Sequence, residues 1–248
     1  MRKTDDISAF LRRWEYDSDR TVRKIRTAKG KEVLQVRLPL GIEQYAVNGR
    51  PDGKRPEGHE SWLQAYQRKS RIFGREFVLD SKDCERLANE GILFYHRYLV
   101  FFQIGEYALC ARDTARNLRL LDFVTRFAAR RENAESIEQY RPYITRMHIM
   151  SRALHRLEMD KDIRSAIRRL EHGIRSIRDL PSLDGSSVFD VERDRSIKSL
   201  KDLIHQLQEQ LPVSKKDLLK RAMEEAISRE DYEKAASIRD QIRRLSRG

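Results

Sequence analysis

The stretch that decides the fold class is the segment from Ile92 to Leu118, "ILFYHRYLVFFQIGEYALCARDTARNL". Its first part is apolar enough for a buried helix running to Phe102, and Gly105 then interrupts the pattern. The second part carries small and apolar residues at helical spacing: Tyr107, Ala108, Ala111, Ala115, Leu118 and Leu121. Because alanines let a helix approach its neighbour closely, the sequence predicts an antiparallel helical hairpin. We expect the chain to be helical from about Ser81 onward.

A second segment has the same organisation. A helix through Met147, Met150 and Leu154 precedes a predicted turn at Asp160 to Asp162. The next helix repeats apolar residues at spacings of four and three, at Ile163, Ile167, Leu170, Ile174 and Ile177. Two consecutive hairpins are therefore predicted.

The turn from Gln103 to Tyr107, followed by Ala108 and Ala115, resembles the helix-turn-helix of tetratricopeptide repeats. The second hairpin resembles it more weakly, and the consensus Trp and Pro of that family are missing. The resemblance implies a solenoid-like scaffold of stacked hairpins with a concave peptide-binding surface.

The N-terminal region contains the only strong β pattern. Val22 and Ile25 precede a turn at Ala28 to Gly30, and apolar residues continue at Val33, Leu34, Val36, Leu38, Ile42 and Tyr45. This pattern predicts a small antiparallel sheet. The loop from Asn48 to Ser61 follows and is rich in Pro and Gly, which is typical both of a functional loop and of a plain connection.

These patterns divide the chain into four parts. Residues 1–78 hold the sheet and the loop, residues 79–180 form a helical-hairpin scaffold, residues 181–190 are a linker, and residues 191–248 form a helix and a C-terminal helical hairpin. The predicted fold class is mainly α, with a small N-terminal antiparallel β region followed by α-helical hairpins.

Composition restricts the possible partners and location. The 248 residues include 51 Lys and Arg against 39 Asp and Glu, a net charge of +12. Such a charge favours nucleic acid, an anionic membrane surface or an acidic protein, but mixed charge along helix faces is also typical of a solvated surface. No window has the roughly 18 apolar residues of a membrane span, and no signal-peptide core is present at the N-terminus. With only Cys84 and Cys110 and no Cys-x-x-Cys pair, we expect a cytoplasmic protein without a disulfide framework.

The last residues predict two short amphipathic helices. Ser214 is a candidate N-cap for the first helix and Asp231 for the second. Leu218 or Leu219, with Met223 and Ile227, supply apolar positions on the first helix, and Ala235, Ile238 and Ile242 do so on the second. Because neither helix can bury its stripe alone, the two should fold against each other.

The order of residues in this segment resembles the UVR motif. Tyr232-Glu233-Lys234-Ala235-Ala236, followed by Ile238-Arg239-Asp240 and Ile242, matches the aromatic-Glu-x-Ala-Ala-x-x-Arg-Asp-x-Ile core of the helical hairpins in UvrB, UvrC and several bacterial adaptor proteins. Tyr232 stands where the family usually has Phe, and Glu230 where a Leu normally closes the turn. The family resemblance implies docking on another such hairpin or on a partner protein. The predicted partner-binding residues are Leu219, Met223, Ile227, Tyr232, Ala235, Ile238, Arg239, Asp240, Ile242 and Leu245.

The sequence lacks motifs that are typical of several classes of enzyme. The chain has no Gly-x-x-x-x-Gly-Lys-Ser/Thr loop to cradle a nucleotide phosphate, and its six histidines do not form a zinc-binding pattern. We therefore predict a non-enzymatic bacterial interaction or adaptor protein, with no metal and no cofactor.

Two further hypotheses stay open. The first is a DNA-binding accessory of nucleotide excision repair, with Arg68, Lys69, Arg71 and Arg75 as candidate nucleic-acid contacts beside Trp62 and Tyr66, unless these aromatic residues and Ile72 pack inside. The second is an enzyme whose site lies in the Asn48 to Ser61 loop, where Asp52 and His59 would be the residues to test.

Overall fold

A computed structural model describes residues 6–183, 185–211 and 215–245. It divides the chain into two compact units, Met1–Ile204 and His205–Gly248. The division falls inside a long helix instead of in the predicted linker at 181–190. None of the described helices combines the length and the hydropathy that crossing a bilayer requires.

The N-terminal region forms the predicted antiparallel sheet. A short helix, α1 (Ser8–Arg13), precedes strands β1 (Val22–Arg26), β2 (Glu32–Leu38) and β3 (Gly41–Ala46), which lie in the order β1-β2-β3. The turn between β1 and β2 is closed by Gly30, whose φ of 75° is accessible to glycine at little cost. In the second pairing Leu34 lies opposite Tyr45, and both side chains are buried. The sheet therefore has one face directed into a core.

Seven helices complete the first unit as the structure describes it. They are α2 (Trp62–Phe73), α3 (Ser81–Gln103), α4 (Tyr107–Phe127), α5 (Arg131–Glu138), α6 (Arg141–Asp160), α7 (Ile163–Arg178) and α8 (Ser187–Glu209), whose C-terminal end passes into the second unit. The predicted hairpins are α3–α4, which turns at Gly105, and α6–α7, which turns at Lys161. Helix α8 begins at Ser187, within the predicted linker.

The two hairpins pack on each other through α4 and α6. A Cβ at Gly173 of α7 would lie 2.6 Å from Cγ2 of Ile149 of α6, so this glycine permits the close approach of α7. One apolar cluster joins Leu34, Tyr45 and Val47 of the sheet region to Tyr98 and Phe101 of α3. The sheet is thus anchored on the first hairpin.

The second unit contains a second kind of hairpin, built from α9 (Lys215–Ser228) and α10 (Tyr232–Leu245), which pack against each other. The predicted C-terminal helical hairpin and the mainly α fold class are confirmed. Ser214, the predicted cap of α9, lies outside the described residues.

Candidate functional site

The turn between α9 and α10 is built by backbone hydrogen bonds. Asp231 N donates to Ala226 O at 2.9 Å and Glu230 N donates to Ile227 O at 2.9 Å, which together satisfy carbonyls at the end of α9. This is the Schellman arrangement, in which the residue after the helix adopts a left-handed conformation. Glu230 occupies that position with φ of 59°, where glycine is the usual residue.

The start of α10 has the predicted cap. The Asp231 carboxylate accepts a hydrogen bond from Lys234 N at 3.1 Å, which satisfies one of the free amides of the first turn. The negative charge also lies at the N-terminal end of the helix dipole. The two caps fix a tight turn between helices of 14 residues each.

The predicted partner-binding residues fall into different environments. Ala235 and Ile238 are buried together with Ala226, so they belong to the interior of the hairpin. Leu219, Met223 and Ile242 are partly buried, and the side chain of Leu245 lies outside the described residues. Ile227 and Tyr232 are 48% and 67% exposed, and Leu218, the alternative to Leu219 on the first helix, is 55% exposed.

Arg239 and Asp240 are both exposed on α10 and pair with each other. Nε and Nη2 of Arg239 each lie 3.4 Å from Oδ1 of the adjacent Asp240. An exposed pair of this kind contributes about 0–1 kcal/mol. It leaves both groups at the surface, where a second chain can reach them.

The aromatic-basic segment of α2 is amphipathic. Ser61 caps this helix by accepting from Gln64 N at 3.1 Å, and Leu63 and Tyr66 are buried, as the helical spacing predicts. Ile72, in contrast, is 68% exposed, so its predicted packing inside is wrong. The reason is that α2 ends at Phe73, and its last turn extends past the surface of α3 that covers Leu63 and Tyr66.

The four candidate nucleic-acid contacts do not all lie together on the surface. Lys69 pairs with Glu57 at 3.0 Å, and its ammonium lies 5.3 Å from the Tyr66 ring centroid. Arg71 and Arg75 line an open groove of about 1000 Å³, whereas Arg68 does not. The structure thus brings together two of the four residues.

A third guanidinium, that of Arg126 at the end of α4, lines the same groove. The groove is also lined by Phe77, Phe123 and Phe127, whose ring centroids lie 4.8 to 6.0 Å apart. Leu79 N donates to Phe127 O at 2.8 Å, and this contact holds the segment after α2 beside the end of α4. Sequence reasoning missed Arg126 because some fifty positions separate it from Arg75, and no local pattern joins the two.

The loop from Asn48 to Ser61 is held by a buried charge network. Arg97 of α3 pairs with Asp113 of α4 through two bonds of 2.7 and 3.0 Å and donates to Ala46 O and Gly49 O at 2.6 and 2.8 Å. Glu90, also buried on α3, accepts from Trp62 N at 2.7 Å and Leu63 N at 3.2 Å. It therefore places a carboxylate at the N-terminus of α2, where the free amides and the helix dipole favour an anion.

The Glu90 carboxylate forms ion pairs with two arginines. Arg50 Nη1 lies 3.3 Å from Glu90 Oε2, and Arg116 Nη2 also donates to Glu90. Burial lowers the pKa of Arg116 to about 10, although the charge of Glu90 opposes the shift. Arg116 therefore stays protonated at neutral pH. Asp52, proposed as a catalytic candidate, pairs with Arg50 at 3.0 Å, so this loop is fixed to the helices by ion pairs.

The described residues contain no cluster of three His, Cys, Asp or Glu side chains that could hold a metal ion. Cys84 and Cys110 are buried free thiols, and burial raises the pKa of each to about 11. Both are therefore thiols at neutral pH, which is the unreactive form.

A family model described as the UvrB/uvrC motif matches residues 214–248. This range covers the α9–α10 hairpin described above and confirms the resemblance drawn from Tyr232 to Ile242. The match does not extend to the helical hairpins α3–α4 and α6–α7, so the tetratricopeptide resemblance has no support from it. Comparison with curated proteins and with solved structures gives no match.

Proposed function

Because the last two helices carry the UvrB/UvrC motif, we propose that the protein acts without catalysis, as an interaction or adaptor protein that docks through the α9–α10 hairpin. The single observation that carries this proposal is the exposure of Leu218, Ile227 and Tyr232 on a hairpin of two short helices. Large apolar side chains exposed on so small an element are typical of an interaction surface. The bacterial origin and cytoplasmic location expected from the sequence are part of the proposal.

The interior of the hairpin supports the same proposal. Its buried residues include Ala226, Ala235 and Ile238, and two of these three are alanines. Burying a methylene contributes about 0.8 kcal/mol, so such a small interior gives limited stability. Two helices of this length rarely fold alone without additional burial. A partner that covers Ile227 and Tyr232 would supply it.

The test compares exposed apolar positions with an exposed polar one on the same hairpin. We expect Ile227→Ser with Tyr232→Ser to abolish docking, whereas Gln241→Ser should keep it. Sedimentation velocity of the full chain over a range of concentrations measures self-association, and quantitative co-purification measures a different partner. Circular dichroism should show an unchanged helix content, because neither Ile227 nor Tyr232 is buried. If the double variant behaves as the wild type in both assays, the docking proposal is wrong.

Ile238→Asp tests a different property. Since Ile238 is buried, an aspartate there places a charge in the interior, and the hairpin should unfold. Loss of docking in this variant, with an unchanged first unit, shows that a folded hairpin is needed. It does not locate the docking surface, which only the exposed positions can do.

A second candidate function is favoured by the groove between α2 and α4. Arg71, Arg75 and Arg126 line it, and none of its described lining side chains is acidic. No ion pair is formed by these three guanidiniums with the described residues. Guanidiniums bind phosphates in bidentate geometry, so the backbone of a single-stranded nucleic acid would complement this groove. The rings of Phe77 and Phe127, which also line it, are partly buried. The nucleic-acid hypothesis therefore narrows from Arg68, Lys69, Arg71 and Arg75 to the groove residues.

Fluorescence anisotropy with single-stranded and duplex DNA at two salt concentrations tests this second function. Each lost phosphate contact should reduce the slope of log K against log salt by about 0.7 for a single strand. We expect Arg126→Gln to weaken binding and lower the slope, whereas Arg68→Gln, on the same surface but outside the groove, should change neither. Equal effects of the two variants would indicate non-specific attraction by the net charge of +12.

A further inference from the structure

A separate cavity of about 530 Å³ lies in the first unit, where α3, α4, α5 and α6 meet the N-terminal part of α8. It forms because α3 presents the small residues Ala88 and Gly91 to this space. A Cβ added at Gly91 would meet only Cδ1 of Leu120, at 3.8 Å, which is an ordinary contact distance. The cavity volume falls within the range of roughly 300–1,000 Å³ that small-molecule sites occupy.

Tyrosine rings form much of the wall. The Tyr95 ring lies 5.5 Å from that of Tyr98 at 88° and 5.9 Å from that of Tyr143 at 57°, and Tyr140 lies at the rim. Burial raises the pKa of the Tyr98 and Tyr143 hydroxyls, so both are neutral groups that can donate and accept hydrogen bonds. Flat rings with hydroxyl groups favour a planar ligand with an aromatic face and a polar edge.

The charges around the cavity exclude other classes of ligand. No Lys, Arg or His is among its described lining residues, and the lining carboxylate, Glu192, pairs with Arg195 at 3.3 Å. A phosphate or carboxylate would therefore meet no cation among the side chains that line the cavity. A cationic ligand is disfavoured as well, because the Glu192 carboxylate is already paired.

The entrance is apolar and exposed. Ile92 and Tyr140 line the cavity and are 51% and 49% exposed, so solvent reaches apolar side chains at its rim. A ligand that enters between them would remove this surface from water, which is favourable in proportion to the apolar area covered.

From these features we infer that the cavity binds an uncharged, planar aromatic molecule of fused or linked rings, packed against the tyrosine rings of the wall and hydrogen-bonded at one edge. This site is independent of the proposed docking hairpin and of the groove beside Arg126. Nothing in the inference requires either of those functions.

The experiment uses the full chain and two probes that differ by one charged group. N-phenyl-1-naphthylamine is uncharged, and 1-anilinonaphthalene-8-sulfonate has the same ring skeleton with a sulfonate added. We expect the wild type to bind the uncharged probe saturably, at one site per chain. Gly91→Leu fills the cavity and should weaken that binding at least about tenfold, a change well above the scatter of a titration.

A matched control places the same side chain on the outer surface of the same helix. Asn89 is exposed on α3, so Asn89→Leu should bind the uncharged probe as the wild type does. Gly91→Leu should have a thermal midpoint no lower than that of the wild type, because leucine has a higher helix propensity than glycine and fills empty space. If Gly91→Leu fails to fold, Ala88→Leu provides the same test, because Ala88 lines the cavity from the neighbouring turn of α3.

Three results would overturn the inference. The first is wild-type binding of the uncharged probe that both cavity-filling variants retain. The second is a crystal of the wild type soaked with that probe in which the cavity lined by Tyr95, Tyr98 and Tyr143 is empty. The third is that Gly91→Leu weakens binding of the sulfonate probe as much as binding of the uncharged probe, which would show that the cavity accepts anions.

Discussion

Two helical hairpins of this protein are built by opposite means. Helices α3 and α4, of 23 and 21 residues, bury charged side chains between them, among them Glu90, Arg97 and Asp113. Helices α9 and α10, of 14 residues each, bury mainly alanines and expose Ile227 and Tyr232. The first hairpin is a framework whose buried charges pair with one another, as Arg97 does with Asp113 and Arg116 with Glu90. The second depends on its end caps, and its exposed apolar side chains remain available to another molecule.

The comparison predicts the largest effect in the first hairpin. Glu90→Ala removes the carboxylate that pairs with Arg50 and Arg116 and accepts from the first amides of α2. Leaving a buried guanidinium without its partner should lower the free energy of unfolding by about 3–5 kcal/mol. Urea unfolding followed by tryptophan fluorescence measures this change. Glu85→Ala, exposed on the same helix, should stay within about 0.5 kcal/mol of the wild type.

In the second hairpin a smaller effect is expected at the cap of α10. Asp231→Ala loses the hydrogen bond from Lys234 N and should destabilise the hairpin by about 1 kcal/mol. Hydrogen exchange of the α10 amides should then become roughly fivefold faster, while the amides of α3 keep their protection. Gln241→Ala is the control, because Gln241 is exposed on α10 and far from its cap. Unchanged exchange in Asp231→Ala would mean that the cap does not limit the stability of the hairpin.

A substitution at Glu230, the residue before Asp231, is expected to stabilise the hairpin instead. Glu230→Gly relieves a left-handed conformation at φ of 59° and should stabilise the hairpin by roughly 0.5–1 kcal/mol. Glu224→Gly, within α9, should instead destabilise it by about 1 kcal/mol, because glycine is a poor helix former. Both changes can be read from the same exchange measurement. Destabilisation by both would contradict the Schellman geometry of the turn.

The smallest expected effect is a pH dependence of the first unit. Burial, followed by the charge of Arg152, lowers the pKa of His148 below its usual 6.5, although the hydrogen bond to Ala111 O opposes the shift. Below pH 6.5 the unfolded chain therefore binds more protons at this residue than the folded chain does. The free energy of unfolding should fall as the pH drops from 6.5 toward the folded pKa, and the loss is complete below that value.

His148→Gln should remove this contribution. Urea midpoints measured between pH 7.5 and 5, a window around the unperturbed histidine pKa, should decrease less in the variant than in the wild type. If the urea midpoints of the two proteins change equally with pH, protonation of His148 does not contribute to the pH dependence of folding.

Local sequence features were sufficient for most of the elements. Alternation predicted the sheet, helical spacing predicted α3, α4, α6 and α7, and Asp231 was recognisable as a cap, whereas the start of α8 was placed too late. The family motif was also readable from the residues, because its aromatic, alanine and Arg-Asp positions follow one another within a single helix. Each of these signals depends only on neighbouring residues.

Properties that depend on distant residues could not be read in this way. Glu90 and Arg97 look like surface charges in the sequence, yet they are buried, because their partners come from the loop before α2 and from α4. Arg126 joins Arg71 and Arg75 only through the contact of Leu79 with Phe127. The tyrosine cavity likewise needs five helices to enclose it.

The sequence by itself determined the antiparallel sheet, the helices of the hairpins and the short motif that the chain carries, because side-chain periodicity and residue order along one element decide these features. Only the tertiary structure decided which charges are buried, which arginines share a groove and which apolar residues of the last hairpin stay exposed. These depend on side chains that meet across elements, and their free energies are set by burial and partners that a one-dimensional pattern does not contain.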